Sequence, residues 1–279
     1  SGTDMAPATV QRYETSLKHT RDFVWETYHK KDVLLDEVSR QFIEDYEFWL
    51  KTEKKCCHNT ATKYLKNFKK ITRIALAKGW MKNDPFLEIR FSLDKVEPDF
   101  LEDSEIQKLI SKEIDIPRLS QVRDIFVFCC FTGLAFSDIH GLRKEHIVED
   151  SNGVRWIRKG RQKTKIMCNI PLIEIPLKIL EKYSTNEYCK KYGVLFPVLC
   201  NQKMNAYLKE LADICGIKKT LTTHVGRHTF ATFALANGVS IESVAKMLGH
   251  TNVQMTRHYA RVLDRTVIRE MSQIKMDLH

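Results

Sequence analysis

Four polar side chains near the carboxyl end of the chain have the chemistry needed to attack an anionic ester. His224 and Arg227 are three residues apart, His250 follows Leu248-Gly249, and Tyr259 lies nine residues beyond His250. A guanidinium stays cationic at any working pH and binds anionic oxygens bidentately. Imidazoles exchange protons near neutral pH. A phenol of pKa ~10 becomes a good nucleophile only when its proton is removed and cations surround it. These groups together could bind an anion beside an activated phenol.

Each of these residues also has a purely structural interpretation. His224 and Arg227 are compatible with a buried pair at the start of a helix, His250 with a capping residue, and Tyr259 with a core aromatic. A histidine and an arginine at this spacing carry almost no information by themselves. The linked occurrence of all these elements favours the functional interpretation.

The segment that carries these residues is divided by helix signals. Asn237-Gly238 is typical of a helix end, Ser240 of the start of the next helix, and Gly249 of its end. His250 therefore follows a helix end directly, and a further segment delivers Tyr259. Two helices and the segment that follows them are predicted to position the four side chains.

The rest of the chain predicts a mainly α-helical fold with a small β-sheet. Residues 125–131 are apolar on every side, which predicts a central buried helix at about 119–131. Strand-like stretches at 154–157 and 165–170 flank a basic turn at 158–164. We predict a helical domain at 4–96, a linker that contains a proline at 97–101, and a mixed α/β domain at 102–279.

A basic stripe follows one face of the third predicted helix, at about 59–78. It consists of Lys63, Lys66, Lys70 and Arg73, and no acidic residue interleaves with it. Ion pairing along the helix therefore does not explain the stripe, although a solvated surface remains the ordinary alternative. The net charge is +10 and the pI about 9.1. This excess favours a polyanionic partner, and we interpret the stripe as a contact to the DNA backbone.

The composition excludes several other classes of protein. Hydrophobic residues make up 43% and charged residues 29% of the chain, as in ordinary globular proteins. No apolar run approaches the ~18 residues of a membrane span. The eight cysteines form no CxxC pair, which favours reduced thiols. Cys56-Cys57-His58 has no second ligand pair at zinc-finger spacing, so no metal site is expected.

The motifs resemble those of the tyrosine recombinases: HxxR at His224 and Arg227, LGH at 248–250, and the tyrosine at 259. The likeness covers both predicted domains and is greatest to integrases of mobile elements in Bacteroides-type bacteria. It implies a helical, SAM-like core-binding domain and a catalytic domain in a C-shaped clamp around DNA. It also implies site-specific recombination through a 3′-phosphotyrosine and a Holliday junction in a tetramer, without cofactor, ATP or metal.

The resemblance assigns a role to each residue of the motifs. Tyr259 would attack the phosphorus, while Arg227 and His250 would bind the non-bridging oxygens, where charge develops. His224 would accept the phenolic proton, directly or through water.

The basic turn matches a further element of the family. Tyrosine recombinases take their general acid from a lysine on a β-hairpin turn. Lys163 is the matching residue here, with Lys165 as the alternative, and Ile170-Pro171-Leu172 follows as in that element. Arg161, in the same turn, is expected to contact DNA.

One family position departs from the pattern. The first catalytic arginine of a TGLR-type motif is replaced by Ala135. Either the protein is a catalytically inert DNA-binding protein, or another cation fills the gap. Arg123 is the first candidate, because a charge at the entrance of a buried helix needs a partner. On a straight helix, however, it would lie ~18 Å from residue 135. Arg143 is the second candidate.

The end of the chain predicts a tail helix with an apolar stripe, formed by Leu263, Val267, Met271 and Ile274. The stripe packs on its own domain or, as the resemblance favours, on a neighbouring protomer. A type IB topoisomerase shares the chemistry and is the alternative enzyme, but the tail favours a recombinase. Expected partners are double-stranded recombination sites, further copies of the chain and accessory DNA-bending proteins.

The expected location is the cytoplasm of a bacterium, on the nucleoid. Ser1-Gly2-Thr3 resembles the remainder of an expression tag. We therefore expect the natural protein to begin further upstream, or to be a simple recombinase without an arm-binding domain.

Overall fold

The structure, a computed structural model, describes residues 5–260. It confirms the predicted fold class, since it is mainly helical with one small three-stranded sheet. The chain divides into two compact units, of which the first ends at Val96 and the second begins at Glu97. Within residues 5–260, no helix combines the length and apolarity that a membrane span requires. The predicted tail helix lies outside the described residues.

Three helices form the first unit: α1 (Pro7–Tyr28), α2 (Arg40–Thr52) and α3 (His58–Ala77). Aromatic side chains fill its core. The ring of Phe23 has its centroid 5.1 Å from that of Phe42 and 5.0 Å from that of Tyr46. The rings of Phe42 and Tyr46 in turn have their centroids 6.0 and 5.9 Å from that of Phe68 on α3, so this face of α3 packs inward and its opposite face reaches solvent.

Nine described helices belong to the second unit: α4 (Asp103–Ser111), α5 (Pro117–Thr132), α6 (Phe136–His140), α7 (Glu174–Tyr183), α8 (Glu187–Tyr192), α9 (Asn201–Ile214), α10 (Thr223–Ala236), α11 (Ile241–Leu248) and α12 (Gln254–Ala260). The helix α5 is central, as predicted, and packs against α7, α9 and α10. A Cβ added at Gly226 of α10 would lie 3.2 Å from Phe126 and 3.3 Å from Cys129. This close approach seats the start of α10 on α5.

The sheet has three antiparallel strands in the order β1 (Ile147–Glu149), β2 (Arg155–Gly160) and β3 (Met167–Pro171). Gly160 pairs with Met167, so the connection between β2 and β3 is the short basic turn expected from the sequence. The strand β1 is not signalled by the sequence, since its three residues depend on pairing with β2. The sheet thus presents its hairpin turn beside the end of α11, which contacts β3.

Local capping signals fix the helices at the end of the described chain. The hydroxyl of Ser240 accepts a hydrogen bond from the backbone N–H of Ser243 at 3.2 Å, which confirms the predicted start of α11. Gly249 ends α11 with a φ of +60°, a conformation that favours glycine. The chain then turns into α12, which packs on α10 and α11.

Candidate active site

Arg227 occupies the centre of the site. Its side chain is 4% exposed, and its two terminal nitrogens donate hydrogen bonds of 2.6 Å to the carbonyls of Gly133 and Leu248. Burial, followed by the nearby charge of Arg161, lowers the pKa of Arg227 to about 10, so the group stays cationic at neutral pH. Two carbonyls use only part of a guanidinium's five N–H groups. The remaining donors are available to an anion.

Two glycines allow the surrounding segments to approach this arginine. A Cβ at Gly133, where φ is +66°, would lie 2.4 Å from Phe230 and 2.8 Å from Leu248. A Cβ at Gly249 would lie 2.6 Å from the Cδ of Arg161. Both positions therefore require glycine for conformation and for space. Residues 132–134 (Thr-Gly-Leu) and 248–250 (Leu-Gly-His) can approach each other here because the turn residue of each segment is a glycine, which has no side chain.

His250 follows α11 and faces the same region. Its Nδ1 lies 2.8 Å from the hydroxyl of Thr256, which orients the ring and leaves Nε2 to meet a ligand. Burial, then the charges of Arg227 and Arg161, lowers the pKa of His250 to about 4. The imidazole is therefore neutral at pH 7 and can donate one N–H to a phosphate oxygen.

Tyr259 projects from α12 into this site and is 7% exposed. Its ring is parallel to that of His250, with an interplanar angle of 10° and a centroid separation of 6.4 Å. Burial raises the pKa of the phenol, and this effect outweighs the charges of Arg227 and Arg161, which lower it. The phenol is therefore protonated at neutral pH and requires a proton acceptor before it can attack.

His224 lies at the outer edge of the site, on the first turn of α10. The residue reaches solvent, while one side of its ring lies against His228 at a centroid distance of 4.1 Å. Partial burial, followed by the charges of Arg227, Arg161 and Lys163, lowers its pKa. A neutral imidazole at the rim can accept a proton from a group bound inside.

His228 is a site residue whose contact with Tyr259 the sequence did not indicate. Its ring lies between His224 and Tyr259, with centroids 4.1 Å and 5.2 Å away. Burial is the main cause that lowers its pKa to about 4. Its Nδ1 is buried without a hydrogen-bond partner among residues 5–260. The position one helical turn beyond His224 was the available signal.

Of the two lysines in the hairpin turn, the structure brings Lys163 towards the site. Its charge is among the causes that lower the pKa of His224, and its side chain is exposed. Lys165 instead has a φ of 61°, and its backbone N–H closes the turn on the carbonyl of Arg161 at 2.9 Å. Lys163 is therefore the lysine of this turn whose charge is recorded as acting on the site.

The assignment of Arg123 to the gap at Ala135 is wrong. Its Nε and Nη2 donate to the carboxylate of Asp124 at 3.2 and 3.1 Å, and its Nη1 donates to the carbonyl of Lys112 at 2.7 Å. The guanidinium of Arg123 is therefore paired with the carboxylate of the adjacent Asp124. The helix α5 continues without interruption to Thr132, which leaves Arg123 about 14 Å from that end. Arg143, the second candidate, is exposed and precedes a short 3-10 turn.

Arg161, for which the sequence predicts a DNA contact, lies inside the site. Its side chain is only 11% exposed, with Nε 3.5 Å from the Asp138 carboxylate. Its positive charge acts to lower the pKa of four groups in the site: Arg227, His224, His250 and Tyr259. The signal available in the sequence was Asp138, three residues after the alanine that interrupts the family motif.

The basic stripe is an exposed face of α3. Lys63, Lys66, Lys70 and Arg73 are all exposed, and no carboxylate among residues 5–260 lies within ion-pair distance of them. The stem of Lys66 approaches the ring of Phe91, with Nζ 5.7 Å from the centroid. The four charges are therefore open to a polyanion.

The described residues show no metal-binding arrangement. Residues 5–260 contain no group of three or more His, Cys, Asp or Glu side chains placed to hold an ion. All eight cysteines are free thiols, and burial raises the pKa of Cys129 to about 12. Four of these thiols are buried and serve as small apolar groups: Cys129, Cys130, Cys168 and Cys189.

The fold and this site define a tyrosine-type site-specific recombinase. The sequence pattern of the phage integrase family matches residues 99–266, and that of the phage integrase SAM-like domain matches residues 1–96. The chain belongs to the phage integrase family.

Relatives cover nearly the whole chain. A tyrosine recombinase of Pseudothermotoga lettingae is 30% identical over 92% of this chain and 88% of its own. Tyrosine recombinase XerD of Shewanella oneidensis is 24% identical over 98% of this chain and 92% of its own. These relatives support the assignment of the chain to the recombinases.

Solved structures share the fold. A lambda integrase dimer bound to a core site matches with a TM-score of 0.74 at 17% identity, covering 100% of this chain and 95% of that one. The Tn1549 transposon integrase in complex with a circular-intermediate DNA matches with a TM-score of 0.73 at 17% identity, covering 98% and 96%.

Proposed function

We propose that this recombinase cuts and rejoins DNA by attack of Tyr259 on a backbone phosphodiester. The observation that carries the proposal is the placement of Arg227. Its guanidinium is fixed by two carbonyls, and its charge acts on both Tyr259 and His250. A phosphate that accepted the remaining N–H groups would meet the phenol and the imidazole in the same site.

In the proposed cleavage step, the phenolic oxygen of Tyr259 forms a bond to phosphorus and the bond from phosphorus to the 5′ oxygen breaks. The phenolic proton passes to His224, directly or through water, since the lowered pKa keeps this imidazole neutral. Lys163 donates a proton to the departing 5′ oxygen. The products are a 3′-phosphotyrosine and a free 5′ hydroxyl.

The second step of the proposal is the reverse reaction with a different partner. The 5′ hydroxyl of another duplex attacks the phosphotyrosine, the tyrosine leaves, and a new phosphodiester forms. One phosphoester bond is exchanged for another, so no external energy source is needed. Exchange of the first pair of strands gives a Holliday junction, and repetition on the second pair resolves it, so the proposed assembly has four chains on two sites.

Joining of strands between two DNA sites tests this function against its alternatives. We expect the protein to convert two labelled duplexes that carry its recombination site into a four-way junction. A type IB topoisomerase would relax supercoiled DNA without joining two sites. An inert DNA-binding protein would shift both duplexes in a gel and cut neither.

We propose that the basic stripe of α3 holds the DNA backbone. Because each lysine that neutralises a phosphate releases counterions, Lys66→Ala combined with Lys70→Ala should lower the slope of log affinity against log salt by about 2. Affinity should fall for specific and unspecific DNA alike. Measurement of binding at several salt concentrations gives both values.

A matched control for this variant is Lys31→Ala with Lys82→Ala, which removes the same charge from exposed positions outside α3. We expect the control to keep the salt slope of the wild type. Equal slopes for the two double variants would show that only net charge matters and would remove the stripe from the DNA contact.

We also propose that the tail of one copy docks on the next. An apolar groove of about 460 Å³ lies between β3, α10 and α11, lined by residues that include Ile173, Phe230, Phe233 and Met247. The tail beyond residue 262 carries the apolar stripe described above. Occupation of this groove by the tail of a neighbouring copy would cover both apolar surfaces.

Truncation after Val262 tests this assembly. We expect the shortened protein to bind a single site normally but to form fewer complexes that contain two sites. The aromatic groove variant Phe233→Asp should show the same defect. Unchanged two-site complexes in both variants would contradict docking of the tail in trans.

We propose a mobile element as the DNA that is moved, on the basis of the resemblance to integrases of Bacteroides-type elements. This role places the protein on the nucleoid in the cytoplasm, with accessory DNA-bending proteins as partners in larger complexes. Sequencing of the junctions that the protein makes between element ends and a chromosomal target tests the assignment. Products restricted to the resolution of chromosome dimers would refute it.

A further inference from the structure

Arg161 follows β2 and turns its side chain towards the LGH segment. Its Cδ would lie only 2.6 Å from a Cβ added at Gly249, so the side chain crosses the residue directly before His250. Its Nη1 lies 3.5 Å from the carbonyl of Gly249. An arginine in a surface turn would ordinarily extend into water, whereas this side chain is 11% exposed.

The site holds more positive than negative buried charge. Arg161 and Arg227 both contribute a guanidinium, and the carboxylate of Asp138 acts on Arg227. The two arginines repel each other, since Arg161 is the largest cause after burial that lowers the pKa of Arg227. Buried charges of one sign are unfavourable unless they are compensated. The arrangement is therefore suited to the binding of an anion.

The donors of Arg161 are poorly used within the protein. Its Nε is buried without a hydrogen-bond partner among residues 5–260, and the nearest recorded carboxylate oxygen, on Asp138, is 3.5 Å away. The bond to the Gly249 carbonyl is also long at 3.5 Å. Arg227, by contrast, donates two bonds of 2.6 Å. A buried guanidinium with unmet donors is expected to gain partners from a ligand.

Asp138 places Arg161 near the position where the family motif is interrupted. This carboxylate is 2% exposed and accepts a hydrogen bond from the backbone N–H of Gln162 at 2.8 Å, which fixes the hairpin turn. Its own backbone N–H donates to the carbonyl of Ala135 at 2.9 Å. The residue that holds Arg161 is thus one helical turn from Ala135.

We propose that Arg161 is a phosphate-binding residue that supplies the guanidinium missing at position 135, from the β2–β3 turn. Asp138 is the positioning residue that orients it. The inference rests on the proposed attack of Tyr259 on a phosphodiester. Arg161 and Arg227 would bind the two non-bridging oxygens of that group and stabilise the charge that develops there.

Comparison of two DNA substrates tests this role. The first is a nicked suicide substrate, and the second has a methylphosphonate at the scissile position, which lacks one non-bridging anionic oxygen. On the first substrate, Arg161→Ala should lower the rate of strand cleavage about 10²–10³-fold, as expected for loss of one donor to a developing oxyanion. On the second, the defect should be largely lost, because the charge that Arg161 offsets is absent.

Arg158→Ala is the matched control, since Arg158 is exposed on the same hairpin. It should cleave both substrates as the wild type does. Arg161→Gln keeps a polar contact to Asp138 and repeats the test if the alanine variant does not fold. A defect of equal size on both substrates, or normal cleavage of the phosphate substrate, would overturn the inference.

These outcomes are distinct from failure of the proposed function. If Tyr259 is not the nucleophile, the wild-type protein and Tyr259→Phe behave alike on the suicide substrate. If only the assignment of Arg161 is wrong, the wild-type protein forms the adduct, and Arg161→Ala either forms it equally well or shows the same defect on both substrates.

Discussion

Replacement of Tyr259 with phenylalanine should abolish the covalent protein–DNA adduct while leaving DNA affinity unchanged. The substitution removes one oxygen and keeps the ring, which packs in a small apolar cluster with Phe230 and Leu248. The ring contacts with His228 and His250 are also retained. Loss of activity would therefore report on the nucleophile and not on the fold. A nicked suicide substrate traps the adduct, because the short strand diffuses away after cleavage, and a denaturing gel measures it.

Tyr188→Phe provides the control for this experiment, because Tyr188 is half exposed and lies outside the site. This variant should form the adduct at the wild-type level. Persistence of the adduct in Tyr259→Phe would show that another residue attacks the phosphate. An unchanged thermal midpoint in both variants would exclude misfolding as the cause of any defect.

Arg227→Lys should lower the rate of cleavage about 10²–10³-fold at saturating DNA, because a donor to the developing oxyanion is lost. The guanidinium of Arg227 links the carbonyls of Gly133 and Leu248 and retains further donors. A lysine carries its donors on one nitrogen and cannot reproduce this planar, multidentate arrangement. Single-turnover cleavage of the suicide substrate measures the effect, and a binding titration shows that the protein is saturated.

Arg227→Ala should have an additional effect on stability. It leaves two buried carbonyls without their donor, and each such group costs about 1–3 kcal/mol. Chemical denaturation should therefore place Arg227→Ala below Arg227→Lys in free energy of unfolding. Cleavage by Arg227→Lys at the wild-type rate would contradict the phosphate-binding role, whereas equal stability of the two variants would contradict only the structural one.

Short-range patterns in the sequence are sufficient to predict much of the fold. The spacing of apolar residues, with glycine at φ values of +66° and +60° after α5 and α11, is sufficient to locate those helices. His224 and Arg227 are fixed relative to each other because they share one helix. The strand β1 was not predicted from the sequence, because a strand of three residues forms only through its pairing with β2.

The sequence by itself therefore determined the class of this protein, because its motif residues lie within forty residues and are ordered by local helix signals. Only the tertiary structure showed which cation lies in the site near the position of the missing arginine. Arg123 carries the right charge but is paired with its neighbour Asp124. Arg161 reaches the site because a hairpin turn, held by Asp138, lies against Gly249, which is 88 residues further along the chain. Contacts of that range arise from packing, which local propensity does not encode.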